Sequence, residues 1–172
     1  MLKYLNTMVT FSEVPNEITL CINLTNCPFH CPACHSKELW EDAGEWLSVG
    51  KLCDLVTENY GITCLCFMGG DSDLEELFNL FKFCPMLFNN LKIAWYTGRD
   101  AIPKNMPPID YIKIGPYKEE YGPINNSNTN QRFYMNGRVM KKLSAYPNSY
   151  YDRTDLFWKN HSDLNEQDLK DG

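Results

Sequence analysis

The segment Ile18-Thr19-Leu20-Cys21-Ile22-Asn23 decides the fold class, because it is an almost continuous run of apolar side chains. A strand that faces solvent on one side alternates apolar and polar residues, whereas this run is apolar on both of its faces. Such a strand is typical of a parallel sheet that is covered on each side. We therefore predict that residues 18–23 form the first core strand of an α/β protein.

Three further apolar runs have the same character, and each ends in a turn. They are Cys64–Met68, Ile93–Tyr96 and Tyr111–Ile114, followed by Gly69-Gly70-Asp71, Thr97-Gly98-Arg99 and Gly115-Pro116-Tyr117. Between the runs, helical spacing predicts one helix over 48–60 and another over 73–83, the second with Ser72 and Glu75 as a capping box. Strands that alternate with helices predict a mostly parallel sheet, whose carboxyl-terminal loops share one face and form the site.

The length of the chain limits the architecture. A closed eightfold barrel takes about 250 residues, and this chain has 172. We expect a single domain over 1–172, built as an open partial (β/α) barrel with its core at about 17–140. A C-terminal hairpin is predicted over Phe133–Met140, with its turn at Asn136-Gly137. A tail follows at about 145–172, and its apolar group Leu156-Phe157-Trp158 is expected to dock either on the body or on a partner.

Three cysteines follow the first core strand within one short loop, Cys27, Cys31 and Cys34. Thiolates are soft ligands that suit an iron–sulfur cluster or zinc. Three thiolates are one short of a closed site, so a four-iron cube held here would keep one iron open to another ligand. The alternative is a structural zinc site with His30 or His35 as fourth ligand, although a second Cys-x-x-Cys pair is missing.

The motif Gly69-Gly70-Asp71 is the second feature that points to a site. Two glycines let the backbone approach a ligand closely, and a carboxylate accepts hydrogen bonds from an ammonium group. The alternative is an ordinary strand-to-helix turn, in which Asp71 or Ser72 caps the following helix. Proximity to the cysteine loop favours the ligand-binding interpretation.

Charge and composition exclude several classes of function. The 16 Lys and Arg against 22 Asp and Glu give a net charge of -6 without a basic tract, which argues against a nucleic-acid partner. We find neither a signal-peptide core nor an apolar run of membrane-spanning length, and expect a cytoplasmic protein without a membrane partner. The remaining cysteines are interpreted as reduced core residues: Cys21, Cys53, Cys64, Cys66 and Cys84.

The two motifs together resemble those of the radical S-adenosylmethionine (SAM) superfamily. The cysteine loop resembles its cluster motif, and Gly69-Gly70-Asp71 resembles its Gly-Gly-Glu motif, which holds the methionine ammonium. More narrowly, residues 27–40, together with Gly115-Pro116-Tyr117 and Asn130-Gln131-Arg132, resemble the activating proteins of anaerobic ribonucleoside-triphosphate reductases. Two positions depart from the superfamily pattern. Ala33 stands where many members have an aromatic residue against the adenine, and Asp71 replaces the commoner Glu.

The resemblance implies a function. A [4Fe-4S] cluster on the three cysteines would reductively cleave SAM to methionine and a 5′-deoxyadenosyl radical, which takes a hydrogen from a glycine of the reductase. A flavodoxin or ferredoxin would supply the electron, and the protein would provide no general acid or base. The residues expected to bind SAM are Ala33, Cys34, His35, Gly69, Gly70 and Asp71.

Three alternatives stay open at this point. One is an activator of another glycyl-radical enzyme, such as pyruvate formate-lyase. The Asn130-Gln131-Arg132 segment is the feature that favours the reductase activator over this alternative. Another is a small-molecule enzyme of the carboxy-deazaguanine synthase type, which needs a substrate pocket that the sequence does not reveal. The third is a zinc-stabilised binding module without activity.

Overall fold

The computed structural model describes residues 1–140 and 149–158, which form a single mixed sheet with helices on one face. The strands are β1 (Lys3–Thr10), β2 (Thr19–Leu24), β3 (Glu45–Trp46), β4 (Cys64–Met68), β5 (Lys92–Tyr96), β6 (Tyr111–Ile114), β7 (Arg132–Asn136) and β8 (Tyr150–Asp152). The α-helices are α1 (Val49–Glu58) and α2 (Leu74–Leu87), and short 3-10 helices lie at Lys37–Trp40 and Thr154–Phe157. Across the sheet the order is β3-β1-β2-β4-β5-β6-β7-β8.

The expectation of an open partial (β/α) barrel with a mostly parallel sheet is wrong. The central strands β2, β4, β5 and β6 are parallel neighbours, but β1 and β3 on one flank and β7 and β8 on the other are paired antiparallel. The described residues also contain only two α-helices. Between β5 and β6 the chain has Pro103, Pro107 and Pro108 and no helix, because proline lacks the amide hydrogen that a helix interior requires.

The central strands themselves lie where the apolar runs predict them. Residues 18–23 correspond to β2, which is parallel to β4 with Leu20 beside Leu65. The run 64–68 coincides with β4, and β5 and β6 match the third and fourth runs to within one residue. The predicted burial of β2 on both faces is confirmed, since five of its six residues are buried.

Both faces of these strands are covered, but in different ways. On one face α1 and α2 pack against the sheet through Leu52, Leu77 and Phe81, which meet side chains such as Phe67 and Trp95. On the other face the cover comes from loops and the chain end. The apolar cluster on this face includes Cys21, Cys66, Tyr96 and Phe133 of the sheet, and Val14, Ile124 and Phe157 from the segments that cover it. None of the helices in the described ranges has the length and apolarity needed to cross a bilayer.

The predicted capping box of the second helix is wrong. Asp73 is the N-cap of α2, and its Oδ1 accepts a hydrogen bond from the Glu76 amide at 3.1 Å. The helix also continues beyond its predicted end at 83, through Pro85 to Leu87. For α1 the predicted start is confirmed, because the Ser48 hydroxyl accepts a hydrogen bond from the Lys51 amide.

The predicted hairpin over Phe133–Met140 is also wrong. Strand β7 ends at Asn136 and pairs with β8, which comes from the predicted tail, so that Met135 lies beside Tyr151. The apolar group 156–158 docks on the body. The Phe157 ring lies 5.1 Å from that of Phe133, and the Trp158 indole donates to the Ile124 carbonyl. Residues 145–148 and 159–172 of the tail lie outside the described residues.

Candidate functional site

A cleft lies at the carboxyl ends of β2, β4, β5 and β6, because these parallel strands all end at one edge of the sheet. Its open space is about 750 Å³, counting the solvent at its mouth. The predicted site residues that line it are Cys27, Cys31, Cys34, Gly69 and Asp71. Thr97, Gly98, Gly115, Pro116 and Tyr117 line it as well. The structure thus brings all four strand-end loops to one site.

The cysteine loop is held in place mainly by backbone hydrogen bonds. The amides of Asn26 and Cys27 donate to the carbonyls of Glu41 and Leu39, each at 3.0 Å, which ties the loop to the 3-10 helix. A turn joins Cys34 to Cys31, since the amide of Cys34 donates to the Cys31 carbonyl at 2.9 Å. These bonds hold the backbone of the loop that carries the three thiols.

Phe29 anchors the centre of the loop against the end of β5. A Cβ atom added to Gly98 would lie 2.5 Å from Cδ2 of the Phe29 ring, which is closer than side-chain atoms approach. Gly98 therefore provides the space that the ring occupies. Because Phe29 lies between the first two cysteines, this contact helps to set their position.

The loop thiols differ from the buried thiols in their surroundings. Burial raises the pKa of Cys84 to about 12 and holds the pKa of Cys64 and Cys66 well above the ordinary value, so these thiols stay protonated. Burial also raises the pKa of Cys27, but the backbone amides of Phe29 and His30 oppose the shift. The three loop thiols are all partly exposed.

The described residues contain no preformed group of metal ligands. Among residues 1–140 and 149–158, no three His, Cys, Asp or Glu side chains are positioned together to hold a metal ion. The donor chemistry nevertheless fits an iron–sulfur cluster, since three partly exposed thiols line one cleft and soft sulfur ligands are what such a cluster takes. The Ser36 amide also donates a hydrogen bond to Sγ of Cys34, at 3.4 Å.

Asp71 is a buried carboxylate of the cleft wall, only 7% exposed. Its Oδ1 accepts hydrogen bonds from the Thr97 hydroxyl at 2.6 Å and from Nε of Arg99 at 2.8 Å. Burial raises the pKa of Asp71, while Thr97 and Arg99 oppose the shift. The interpretation of Asp71 or Ser72 as helix cap is wrong, since Asp73 has that role. Asp71 instead joins the loop after β4 to the loop after β5.

The two glycines before Asp71 have different surroundings. Both have positive φ angles, +97° at Gly69 and +88° at Gly70. The Gly69 carbonyl accepts a hydrogen bond from the Trp95 indole at 2.8 Å, and Gly69 borders the cleft. Gly70 is not among the lining residues, and a Cβ there would lie 2.8 Å from Cδ1 of Leu24. Gly70 therefore permits close packing rather than contact with a ligand.

Ala33 and His35, both predicted to bind the cofactor, are also not among the residues that line the cleft. The His35 ring lies 5.1 Å from the ring of Tyr117, which does line it. His30 stacks on Trp40 with ring centres 4.8 Å apart. Both histidines thus have aromatic contacts beside the cysteine loop.

Lys113 and Trp40 also line the cleft, although the sequence analysis assigned neither of them a role there. Trp40 Nε1 is buried and has no hydrogen-bond partner within the described part of the chain. Lys113 is the only charged residue of the strand Tyr111-Ile112-Lys113-Ile114. A charged residue in the middle of a short apolar strand is unusual, and that signal could have identified Lys113 from the sequence.

Two of the three segments of the narrower resemblance, residues 115–117 and 130–132, contact each other at the cleft. Asn130 Nδ2 donates to the Pro116 carbonyl at 2.8 Å, and Gln131 Nε2 donates to the Gly115 carbonyl at 3.2 Å. Gln131 is buried and lines the cleft. The side chains of the later segment thus hold the loop that follows β6.

Comparison of the chain with protein-family models, with curated proteins and with solved structures gave no match.

Proposed function

We propose that this chain is a cytoplasmic radical SAM enzyme that activates a glycyl-radical enzyme, the anaerobic ribonucleoside-triphosphate reductase. One observation carries the proposal: Cys27, Cys31 and Cys34 line the same cleft as Gly69 and Asp71. Cluster and SAM would have to bind side by side, and this cleft offers thiol ligands and a buried carboxylate together.

The residues of the cleft would have separate tasks. Cys27, Cys31 and Cys34 would hold a [4Fe-4S] cluster, which when bound supplies the electron for SAM cleavage. Asp71 would accept hydrogen bonds from the methionine ammonium, with Thr97 and Arg99 keeping its carboxylate in place. The Gly69 backbone would border the ligand. The protein thus binds and orients the cofactors, which provide the reactivity.

The partner is proposed from the segments that resemble reductase activators. Gly115 and Pro116 are bonded to Gln131 and Asn130 at the cleft, so this structured loop could contact a protein that presents a glycine there. A flavodoxin or ferredoxin would reduce the cluster. An activator of pyruvate formate-lyase is the nearest alternative.

The first test is anaerobic reconstitution with iron and sulfide. We expect about four irons per chain and, after reduction, an electron paramagnetic resonance spectrum that changes when SAM is added. Alanine at Cys27, Cys31 or Cys34 should abolish the cluster. Cys53→Ala is the matched control, because Cys53 is a partly exposed thiol on α1 outside the cleft, and it should keep the iron.

The SAM site is tested in the reconstituted protein with Asp71→Asn. Losing one charge-assisted bond of roughly 1.5–3 kcal/mol should weaken SAM binding about ten- to hundredfold and leave the iron content unchanged. Equal SAM affinity in wild type and variant would remove Asp71 from the site.

The partner is tested by mixing reconstituted protein, SAM and reductant with the anaerobic reductase, which should acquire a glycyl radical signal. A radical on pyruvate formate-lyase alone would favour the alternative activator. Stoichiometric zinc in place of iron would contradict the enzyme and favour a zinc-stabilised module.

A further inference from the structure

Lys113 is a charged residue on a central strand of the sheet, and its side chain is only partly buried. It lies on β6, between β5 and β7, beside Tyr96 of β5 and Phe133 of β7. Its Nζ is 5.0 Å from the centre of the Tyr96 ring. The side chain lines the same cleft as the three loop cysteines.

In the described part of the chain, no carboxylate forms an ion pair with this ammonium. Within residues 1–140 and 149–158 the ion pairs join other cations, such as Arg99 to Asp71 and Lys92 to Glu17, and none includes Lys113. A charge that is partly withdrawn from water is stabilised by an opposite charge nearby. The cleft therefore contains a cation that has no carboxylate within ion-pair distance among the residues that the structure describes.

One carboxylate and three cysteine sulfurs act on this ammonium, and the carboxylate of Glu13 acts most strongly. Burial lowers the pKa of Lys113, and Glu13, Cys66, Cys31 and Cys34 oppose that shift. Cys66 is fully buried and its own pKa is raised well above the ordinary value, so its thiol stays neutral. Of these groups, Cys31 and Cys34 belong to the cysteine loop. Each would gain negative charge on binding a metal as a thiolate.

We propose that Lys113 is a positioning residue that supplies the positive counter-charge to the thiolates of the cysteine loop and thereby raises the reduction potential of the cluster bound there. The inference rests on the proposed function. Reduction adds one electron, taken from an external reductant, and no bond forms or breaks. A cation near the sulfur ligands stabilises the added negative charge by Coulomb attraction, more strongly in a partly buried site than in water.

The experiment compares anaerobically reconstituted wild type with Lys113→Met and Lys113→Arg. Methionine keeps a long apolar side chain without the charge, and arginine keeps the charge. Each protein is analysed for iron and sulfide and then titrated with dithionite against redox mediators, with the reduced cluster followed by paramagnetic resonance. We expect Lys113→Met to hold as much iron as wild type and to have a more negative midpoint potential. Lys113→Arg should have a potential close to that of wild type.

Lys118→Met is the matched control. Lys118 also lies over a tyrosine ring, at 5.8 Å from Tyr121, but it does not line the cleft. Its substitution should leave the potential unchanged.

Other outcomes separate this inference from the proposed function. An iron-loaded Lys113→Met with the wild-type potential would overturn the inference alone. Lys113→Met is the variant at risk of losing its iron. If it does, and Lys113→Arg keeps both its iron and the wild-type potential, the result supports a role for the charge. If both variants lose their iron, Lys113 has a packing role and the inference is overturned. A wild-type protein that takes up no cluster would overturn the proposed function and the inference with it.

Discussion

At the scale of single residues, the contact between Gly98 and Phe29 tests how the cysteine loop is held. Gly98→Ala places a Cβ 2.5 Å from the Phe29 ring, so the ring and its loop have to move. We expect the free energy of unfolding to fall by about 1–3 kcal/mol, as for other overpacked sites, measured by urea denaturation.

Gly50→Ala is the control for this substitution. Gly50 lies in the first turn of α1, and its added Cβ would meet only the Ser48 hydroxyl, at 3.8 Å. Alanine in a helix is more favourable than glycine by about 0.5–1 kcal/mol, so this variant should be as stable as wild type or more so. Equal losses in the two variants would mean that Phe29 does not rest on Gly98.

At the scale of elements, substitutions at the start of α2 distinguish an Asp73 N-cap from a capping box of Ser72 and Glu75. In the structure Asp73 accepts a hydrogen bond from the Glu76 amide, while Ser72 is exposed. We expect Asp73→Ala to lower the free energy of unfolding by about 1 kcal/mol and Ser72→Ala to change it by less than about 0.5 kcal/mol. A larger loss in Ser72→Ala would favour the capping box that the sequence pattern predicts.

The stabilisation by Asp73 should also depend on pH. The bond from the N-terminal ammonium, at 2.8 Å, is the main cause that lowers the pKa of Asp73 below its ordinary value of 3.8, and the Glu76 amide adds to it. Because the folded state favours the charged form, this contribution is fully present above the unfolded pKa. It is lost as the pH falls through the lower, folded pKa. The stability difference between wild type and Asp73→Ala should therefore shrink on acidification, as followed by urea denaturation at several pH values.

At the scale of the whole molecule, the sheet carries different polar groups at its two ends. Opposite the cleft, the buried carboxylate of Glu17 accepts hydrogen bonds from Tyr111 at 2.6 Å, Thr63 at 2.6 Å and Lys92 at 2.5 Å. These partners lie at or next to the starts of β6, β4 and β5. Glu17 thus connects the central strands at the end that does not face the cleft.

Tyr111→Phe tests whether the two ends are independent. Removing a hydrogen bond to a buried charged group should lower the free energy of unfolding by about 1.5–3 kcal/mol. Iron uptake in the cleft should not change. Tyr60→Phe serves as control, since Tyr60 is 93% exposed and its substitution should have no effect on either measurement. Loss of iron in Tyr111→Phe would show that the two ends are coupled.

The sequence by itself determined the central strands and the loops that end them. Burial on both faces requires apolar neighbours within a strand, and that requirement is visible in the short runs from Ile18 to Ile114. Once these strands are parallel, their carboxyl ends must meet at one edge, so the meeting of Cys27 with Gly69 and Gly98 follows from local pattern and topology alone.

Only the tertiary structure decided the flanks of the sheet and the partners within the cleft. Strand β7 pairs with β8 rather than folding back at Gly137, because strand pairing depends on which distant segment can reach the edge. The Asp71–Arg99 pair and the Phe29–Gly98 contact likewise join residues far apart in the chain. The position of Lys113 in the cleft that the loop thiols line depends on strand register and loop packing together, and no local pattern contains that information.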